Sequence, residues 1–571
     1  MLRPIFSPWA LLLSGSSFPL AVAARSFAKF SHLEASIAHS NNSTPPYVPT
    51  YNVSLPIDHF NASDTRTFTN RYWVNDTYYK PGGPVIFINF AEGTVTPAGI
   101  ALTLAEWTGH HTFASAVMHL SKQLNGVAIG WEHRYYGYSQ PFELSKEDFP
   151  VGGAKDYQYL SVNQSLEDVV CFATKHIHQA KLKDNTVLSN LGPNATEILH
   201  PSTTPWIWVG GSYAGNLGAW LRLRNPEVIY AVWASSAPVE CRPDGSAYFN
   251  NIYRATPSNC TADMQAVTRH VDSLLSSTDD SLLSSTDDSA KHRDAVGKLL
   301  MHPITYIFQG CGPSGTIHSF CNYLEGFDVA SYLYHHRSSN AHDATAGLEV
   351  GLAAYLHALW RHNADISPML AAMRTHSHPN PRDAYAWQWQ SWTEIGLFQT
   401  IDPASEMALG SRFLDYGAAR RDFVDDLPNR VDNSYVRQFG GWNMQPSNTM
   451  FSDGEFDPWR AFSVTSQDGH LGAPERGVTT EIPKCGVSLE KGSDIFGIVH
   501  EGAVHAADLG SYLYPVEQQE EEESDGVYKN TTLDGLLWPP MFERAGALFL
   551  RALKEEWLPC FEEARGRVTA I

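Results

Sequence analysis

Short apolar runs bounded by turn-forming residues punctuate the chain at 84–90, 126–131, 206–210 and 230–234. None of them alternates apolar with polar positions. A strand open to water on one side shows a period of two, so these runs predict strands covered on both faces, as in a mostly parallel sheet. Helical spacing fills the intervals, for example at 163–178 and 214–224. Strands alternating with helices predict an α/β, doubly wound core. Between about 240 and 430 helical segments such as 346–362 take over, and strand-like runs resume near 448–453 and 495–500. The economical expectation is an α/β core, 51–240 and 431–571, split by a helical cap insertion over 241–430.

The start of the chain reads differently. Arg3, the apolar run beginning at Trp9 and the small residues Ala21, Val22 and Ala23 have the order of a secretory signal over 1–24. Ser14, Gly15 and Pro19 interrupt the run, which falls short of the ~20 apolar residues of a membrane anchor. No membrane anchor is expected. Residues 25–50, rich in Ser, Asn, Thr and Pro, read as a propeptide or loose arm. Two segments read as solvated elaborations: an eight-residue duplication over 273–288 and an acidic run over 517–525. A single duplication is too little to stack into a solenoid.

Composition narrows the function. Lys and Arg number 40 against 61 Asp and Glu, a net charge of −21. That excess argues against nucleic acid as a partner, because phosphate binding needs a basic face. Aromatics make up 12% of the chain and charged residues 18%, the opposite of a disordered composition. Nine Asn-x-Ser/Thr acceptors (Asn41, Asn42, Asn52, Asn61, Asn75, Asn163, Asn194, Asn259 and Asn530) support export to a secreted or vacuolar/lysosomal location. Seven cysteines without a CxxC pair point away from zinc ribbons. In an oxidising compartment some should pair, and the odd count leaves at least one over. Cys171, inside a helical pattern, reads as a small buried hydrophobe.

The strongest chemical signal lies at 206–215. An apolar strand ends at Gly210 and Gly211, Ser212 follows, and a helix with small residues (Ala214, Gly215, Gly218, Ala219) comes next. A nucleophile elbow needs small neighbours because its serine sits on a strained strand-to-helix turn. Ala214 stands where the usual G-x-S-x-G has its last glycine. Serine needs a base, and the base a carboxylate, in the α/β-hydrolase order Ser, Asp, His. Downstream, 451–459 offers Asp453, Glu455 and Asp457, which spacing alone does not separate. Farther on, 496–505 offers His500 at the end of an apolar run and His505 beyond a glycine loop, the better-placed base.

A metal reading of His500-Glu501 with His505 fails on spacing. At about 100° per residue, two imidazoles five positions apart on a helix lie about 140° apart and cannot share a zinc. No metal and no cofactor are expected.

These residues resemble a known family, the serine peptidases that include prolyl carboxypeptidase, dipeptidyl peptidase II and the fungal acid prolyl endoproteases. Five blocks carry the resemblance: Glu132 to Ser139 (E-H-R-Y-Y-G-x-S), Gly210 to Gly215 (G-G-S-Y-A-G), Ala234 to Val239, Gly454 to Trp459 (G-x-x-D-P-W) and Gly502 to Leu509 (G-A-x-H-x-x-D-L). The resemblance implies Ser212 as nucleophile, Asp457 as orienting acid and His505 as base. It implies an oxyanion hole from the backbone N–H of Tyr213 and of the Glu92-Gly93 turn, and a helical cap that helps form the substrate pocket. Trp387, Trp389 and Trp392 are candidates for a proline-accepting aromatic pocket, the alternative at that spacing being core. Members of the family hydrolyse peptides after proline, mostly at acid pH, so proline-containing peptides or proteins are the expected partners. Because 206–239 and 441–460 most resemble the fungal enzymes and the insertion declares no charge trap, cleavage without a free terminus is expected. The alternatives are an exopeptidase, a carboxylesterase, or an inactive binding glycoprotein.

Overall fold

A computed structural model describes residues 47–105, 107–108, 112–144, 151–177, 190–191, 199–277, 293–294, 296–298, 300–301, 304–305, 308–309, 317, 320–321, 381–414, 427–428, 430–513, 532–533, 536–537 and 540–569. Described residues of Ser26–Cys241 and Asp432–Ile571 form one compact unit, and those of Arg242–Val431 another.

The first unit is built on a nine-stranded sheet. Its strands are β1 (Thr50–Pro56), β2 (Thr67–Asn75), β3 (Val85–Asn89), β4 (Val127–Trp131), β5 (Trp206–Gly211), β6 (Ala231–Ser235), β7 (Thr449–Gly454), β8 (Val478–Thr479) and β9 (Ile495–His500). Their order across the sheet is β1-β2-β4-β3-β5-β6-β7-β9-β8. Only β1–β2 and β2–β4 pair antiparallel; every other neighbour is parallel. Each apolar run expected to be a buried strand is one.

The absence of alternation has the expected cause. On β5, Ile207 and Val209 join a cluster with Trp233, Met450, Phe496, Phe549 and Trp557 on one face. Trp206 and Trp208 point to the other face, where both rings meet Phe87 at 5.5 and 4.9 Å. All four β5 side chains are buried. The first face is covered in part by α1 (Ala116–Leu124) and α6 (Pro540–Ala552), which supply Val117, Leu120, Phe542 and Leu548. Near the second, α2 (Val162–Cys171) runs on into a π-helical turn, Phe172–His176, whose Phe172 packs on Trp131 at 4.7 Å. Cys171 is buried and unbridged on α2, and Cys485 is bonded to Cys560. The doubly wound α/β-hydrolase core is therefore present, with a two-strand antiparallel edge that the apolar runs did not announce.

In the second unit the described residues include the helices α4 (Ser258–Ser277) and α5 (Pro381–Gln390). Met264, Val267 and Val271 of α4 are buried, and Asp272 accepts from the Ser411 hydroxyl and, at 3.0 Å, from Arg412 N–H. Cys260 is bonded to Cys321. The first copy of the duplication begins in the last turn of α4. The rest of it, the helical pattern at 346–362, the signal-like segment, the arm up to residue 46 and the acidic run lie outside the described residues.

Candidate active site

Ser212 stands between β5 and α3 (Tyr213–Arg224) with φ +56° and ψ −130°. A non-glycine residue there is strained, and strain of this kind persists only where surroundings fix it. The surroundings do so with short-range contacts. Ser212 N–H donates to Ser235 O at 2.9 Å, and Trp208 Nε1–H donates to Ala214 O at 2.9 Å. A Cβ at Gly210 would come within 2.5 Å of Ala214 O, and one at Gly218 within 2.4 Å of Trp208 Cδ1. Strand and helix approach as closely as glycine allows, while the alanine at 214 is buried without conflict.

Asp457 lies beyond β7, at the N-cap of a 3-10 turn, Pro458–Phe462. Its Oδ1 accepts from Trp459 N–H at 2.8 Å. His505 lies in the loop after β9, and its Nδ1 is 2.9 Å from Asp457 Oδ2 and 3.0 Å from Oδ1. Both groups are almost fully buried. A carboxylate accepts only, so Nδ1 carries the proton and Nε2 presents a lone pair, the tautomer a general base needs. The His505 loop meets the serine turn from the side: a Cβ at Gly211 would lie 3.4 Å from Ala506 Cβ, and Ala506 N–H donates to Ser236 Oγ at 2.8 Å. Ser212, Asp457 and His505 thus follow the carboxyl ends of β5, β7 and β9, where ligands bind in open α/β sheets.

The other candidates go elsewhere. Asp453, still on β7, accepts from Ser463 and Thr465 hydroxyls at 2.7 and 2.8 Å, and burial together with the Asp457 charge holds its carboxyl well above the usual range. Its place in the strand and its two hydroxyl donors set it apart from Asp457, which holds the imidazole. Glu455 accepts from Gly502 N–H at 2.9 Å. His500 ends β9, with its Nε2 3.3 Å from Asp508 Oδ2. Tyr213 N–H is the first backbone donor of α3. After β3, the neighbour of β5, the turn holding Glu92 and Gly93 is shaped by Ala91 (φ +49°), whose N–H donates to Asn89 Oδ1 at 2.7 Å.

Trp387 and Trp389 lie on α5 and Trp392 in the π turn that follows. Trp387 and Trp392 are buried, and Trp392 donates to Pro428 O at 2.8 Å and packs on Phe398. Of the glycosylation acceptors, Asn52, Asn61 and Asn259 are exposed. Asn75 donates to Leu104 O, and Asn163 Oδ1 accepts from Arg224 and from Tyr435, at 2.9 and 2.7 Å, so both amides are engaged. Asn41, Asn42, Asn194 and Asn530 lie outside the described residues. Among those residues no group of three His, Cys, Asp or Glu side chains is arranged to hold a metal, and no helix is long and apolar enough to cross a membrane.

The role of the 132–139 block is not visible in its sequence. Glu132 takes two bonds from Arg71 and one from Ser139. Arg134 forks onto Asp168 at 2.6 and 2.7 Å, and Asp168 also meets His59. These are buried ties between β4, β2 and α2. His133 is fully enclosed against Tyr136 and Tyr213, and burial pulls its imidazole down to about 4.

Fold and site together have the layout of a serine hydrolase. Residues 55–473 match the family described as "Serine carboxypeptidase S28", and the chain belongs to it. It is similar to "Serine protease vicPa" of Bipolaris victoriae, 29% identical over 72% of this chain and 77% of that one. It is also similar to the thymus-specific serine protease of Homo sapiens, 28% identical over the same shares. The "Probable extracellular serine carboxypeptidase" of Arthroderma benhamiae is 24% identical over 79% of this chain and 64% of its own length. The chain is a serine peptidase by family.

Proposed function

We propose that the chain is a secreted peptidase that cleaves after proline at acid pH, by acyl transfer through Ser212, His505 and Asp457. The observation that carries the chemistry is the grip of Asp457 on His505 Nδ1 beside a serine held at φ +56°. His505 Nε2 takes the proton as Ser212 Oγ attacks the scissile carbonyl, then gives it to the leaving amine. The N–H of Tyr213 and one from the Glu92-Gly93 turn stabilise the tetrahedral oxyanion, and water repeats the sequence to free the acid product. No metal or cofactor enters these steps.

Proline preference and acid pH rest on the five motif blocks. Export rests on the leader-like start, the exposed acceptors Asn52, Asn61 and Asn259, and the extracellular description of one relative. Proline at P1 has its φ already fixed, so a rigid apolar slot selects it at little ordering cost. Proline-containing peptides or proteins are the substrates. We favour cleavage without a strict need for a free terminus. The family description favours a second reading, removal of C-terminal residues.

The test compares an N-blocked Gly-Pro anilide, a free-amine Lys-Pro anilide and a peptide ending in Pro-Phe at mildly acid pH. Efficient hydrolysis of the blocked anilide supports the endopeptidase reading. Turnover of the Pro-Phe peptide alone makes it a carboxypeptidase, and of the free-amine anilide alone a dipeptidyl peptidase. Equal rates when alanine replaces proline would remove the specificity.

A further inference from the structure

The base loop is fastened by a second carboxylate that the catalytic steps do not use. Asp508, itself buried, accepts from Ser235 Oγ–H at 2.5 Å and lies 3.3 Å from His500 Nε2. Burial alone would raise its carboxyl, but bonds from His500, Ser235 and Ser452 outweigh that and hold it below the usual range. Ser452 Oγ in turn accepts from Trp233 Nε1–H at 2.8 Å. The charge is thus shared by donors from β6, β7 and β9.

The position of these donors matters more than their number. His500 ends the strand before the His505 loop and Asp508 stands three residues past His505, so their contact closes the loop at its base. Ser235 is the residue whose carbonyl receives Ser212 N–H, and its neighbour Ser236 receives Ala506 N–H. Ser212, Ser236 and Ala506 all have positive φ, +56°, +51° and +49°. Three strained turns meet around one hydrogen-bonded cluster, and strain in each is tolerated only while the cluster holds.

We propose that Asp508 is a positioning residue: through Ser235 and His500 it locks the His505 loop to the end of β6 that fixes the Ser212 turn, setting base and serine in register. It touches no reacting atom. A displacement of about 1 Å at such a site costs about 100-fold in rate, which is the scale the lock protects. The inference rests on the triad reading above.

The experiment measures kcat and KM of the full chain, on whichever anilide or peptide the wild type cleaves, for Asp508→Asn, Ser235→Ala and the double variant. Rates are taken per site titrated with a fluorophosphonate, so misfolded protein does not count. Each single change should lower kcat about 10- to 100-fold with KM within about twofold, because orientation and not binding is lost. The double variant should be within about threefold of the worse single one, because both cut the same link. The proposal is overturned if kcat per titrated site stays within about threefold of wild type, if KM carries the loss, or if the two effects multiply. Should Asp508→Asn fail to fold, Ser235→Ala decides alone, since it removes one hydroxyl. A wild type that the probe does not label at Ser212 would overturn the triad reading itself, whatever Asp508 does.

Discussion

Asp457 meets His505 Nδ1 with both oxygens, at 2.9 and 3.0 Å, while its own Oδ1 also receives Trp459 N–H. The acid is therefore fixed by the turn that follows it, and the imidazole is fixed by the acid. Asp457→Asn can offer an N–H where an acceptor is needed, which favours the wrong tautomer. It should lower kcat about 10⁴-fold with the fold intact, as read by circular dichroism beside steady-state rates. A loss of under tenfold would move the orienting role to another carboxylate.

Removing the nucleophile should cost more. Ser212→Ala leaves only binding and oxyanion stabilisation, and kcat should fall about 10⁶-fold, roughly 8 kcal/mol of barrier. Because alanine also adopts a positive φ with strain, the variant should fold as the wild type does. Retention of more than a few per cent of activity by purified protein would remove Ser212 from the mechanism.

The elbow also makes a packing prediction. A methyl at Gly210 has backbone within 2.5 Å, whereas one at Gly469 meets nothing within 4 Å. Gly210→Ala should cost about 1–3 kcal/mol or more and lower both the melting temperature and kcat. Gly469→Ala should leave both near wild type. Equal behaviour of the two variants in thermal unfolding would mean that the close strand–helix approach is not what the serine turn depends on.

Much of this arrangement is legible in the sequence because it is local. The run Trp206 to Val209, the glycines and Ser212 lie within a few residues, so period and turn chemistry expose them together. The choice among Asp453, Glu455 and Asp457 is legible only through the motif resemblance, which points to Asp457, and not through period or spacing. It depends on where β7 ends: Asp453 is still in the strand facing Ser463 and Thr465, and Asp457 has left it for the N-cap of the next turn. Period and spacing did not announce the Asp508 lock either. Ser235 and Asp508 are 273 positions apart, and only the parallel order β5-β6-β7-β9 brings them together.

Asp453 predicts a pH effect on stability. Its carboxyl is held well above the usual range in the fold, by burial first and then by the charge of Asp457, against an ordinary value of 3.8. The folded state therefore keeps a proton that the unfolded state releases once pH exceeds about 3.8. Its contribution is fully present below that value and is lost as pH rises, by up to about 1.4 kcal/mol per pH unit until the folded group itself ionises. Asp453→Asn stays neutral and can still accept from Ser463 and Thr465. Its melting temperature relative to wild type should climb as pH rises from acid to neutral, with activity near wild type. A constant difference across that range would mean that Asp453 is ionised in the fold.

His133 should pull the other way. Burial lowers its imidazole from 6.5 to about 4, so between those values the unfolded chain binds a proton that the fold refuses. Stability is lost as pH falls through that window, by about 3 kcal/mol in all. Asp453 gains stability as pH falls, so the two groups pull in opposite directions. His133→Asn keeps a donor for Arg134 O, which the Nδ1 of His133 meets at 2.8 Å, but it has no proton to gain. It should be less stable than wild type at neutral pH because a buried ring is lost, and that deficit should shrink steadily toward acid pH. The opposite slopes of the Asp453→Asn and His133→Asn differences, measured by thermal unfolding at matched ionic strength, are the expected result. A difference that stays flat with pH, or that slopes the other way, would mean that the protonation state assigned to that residue is wrong.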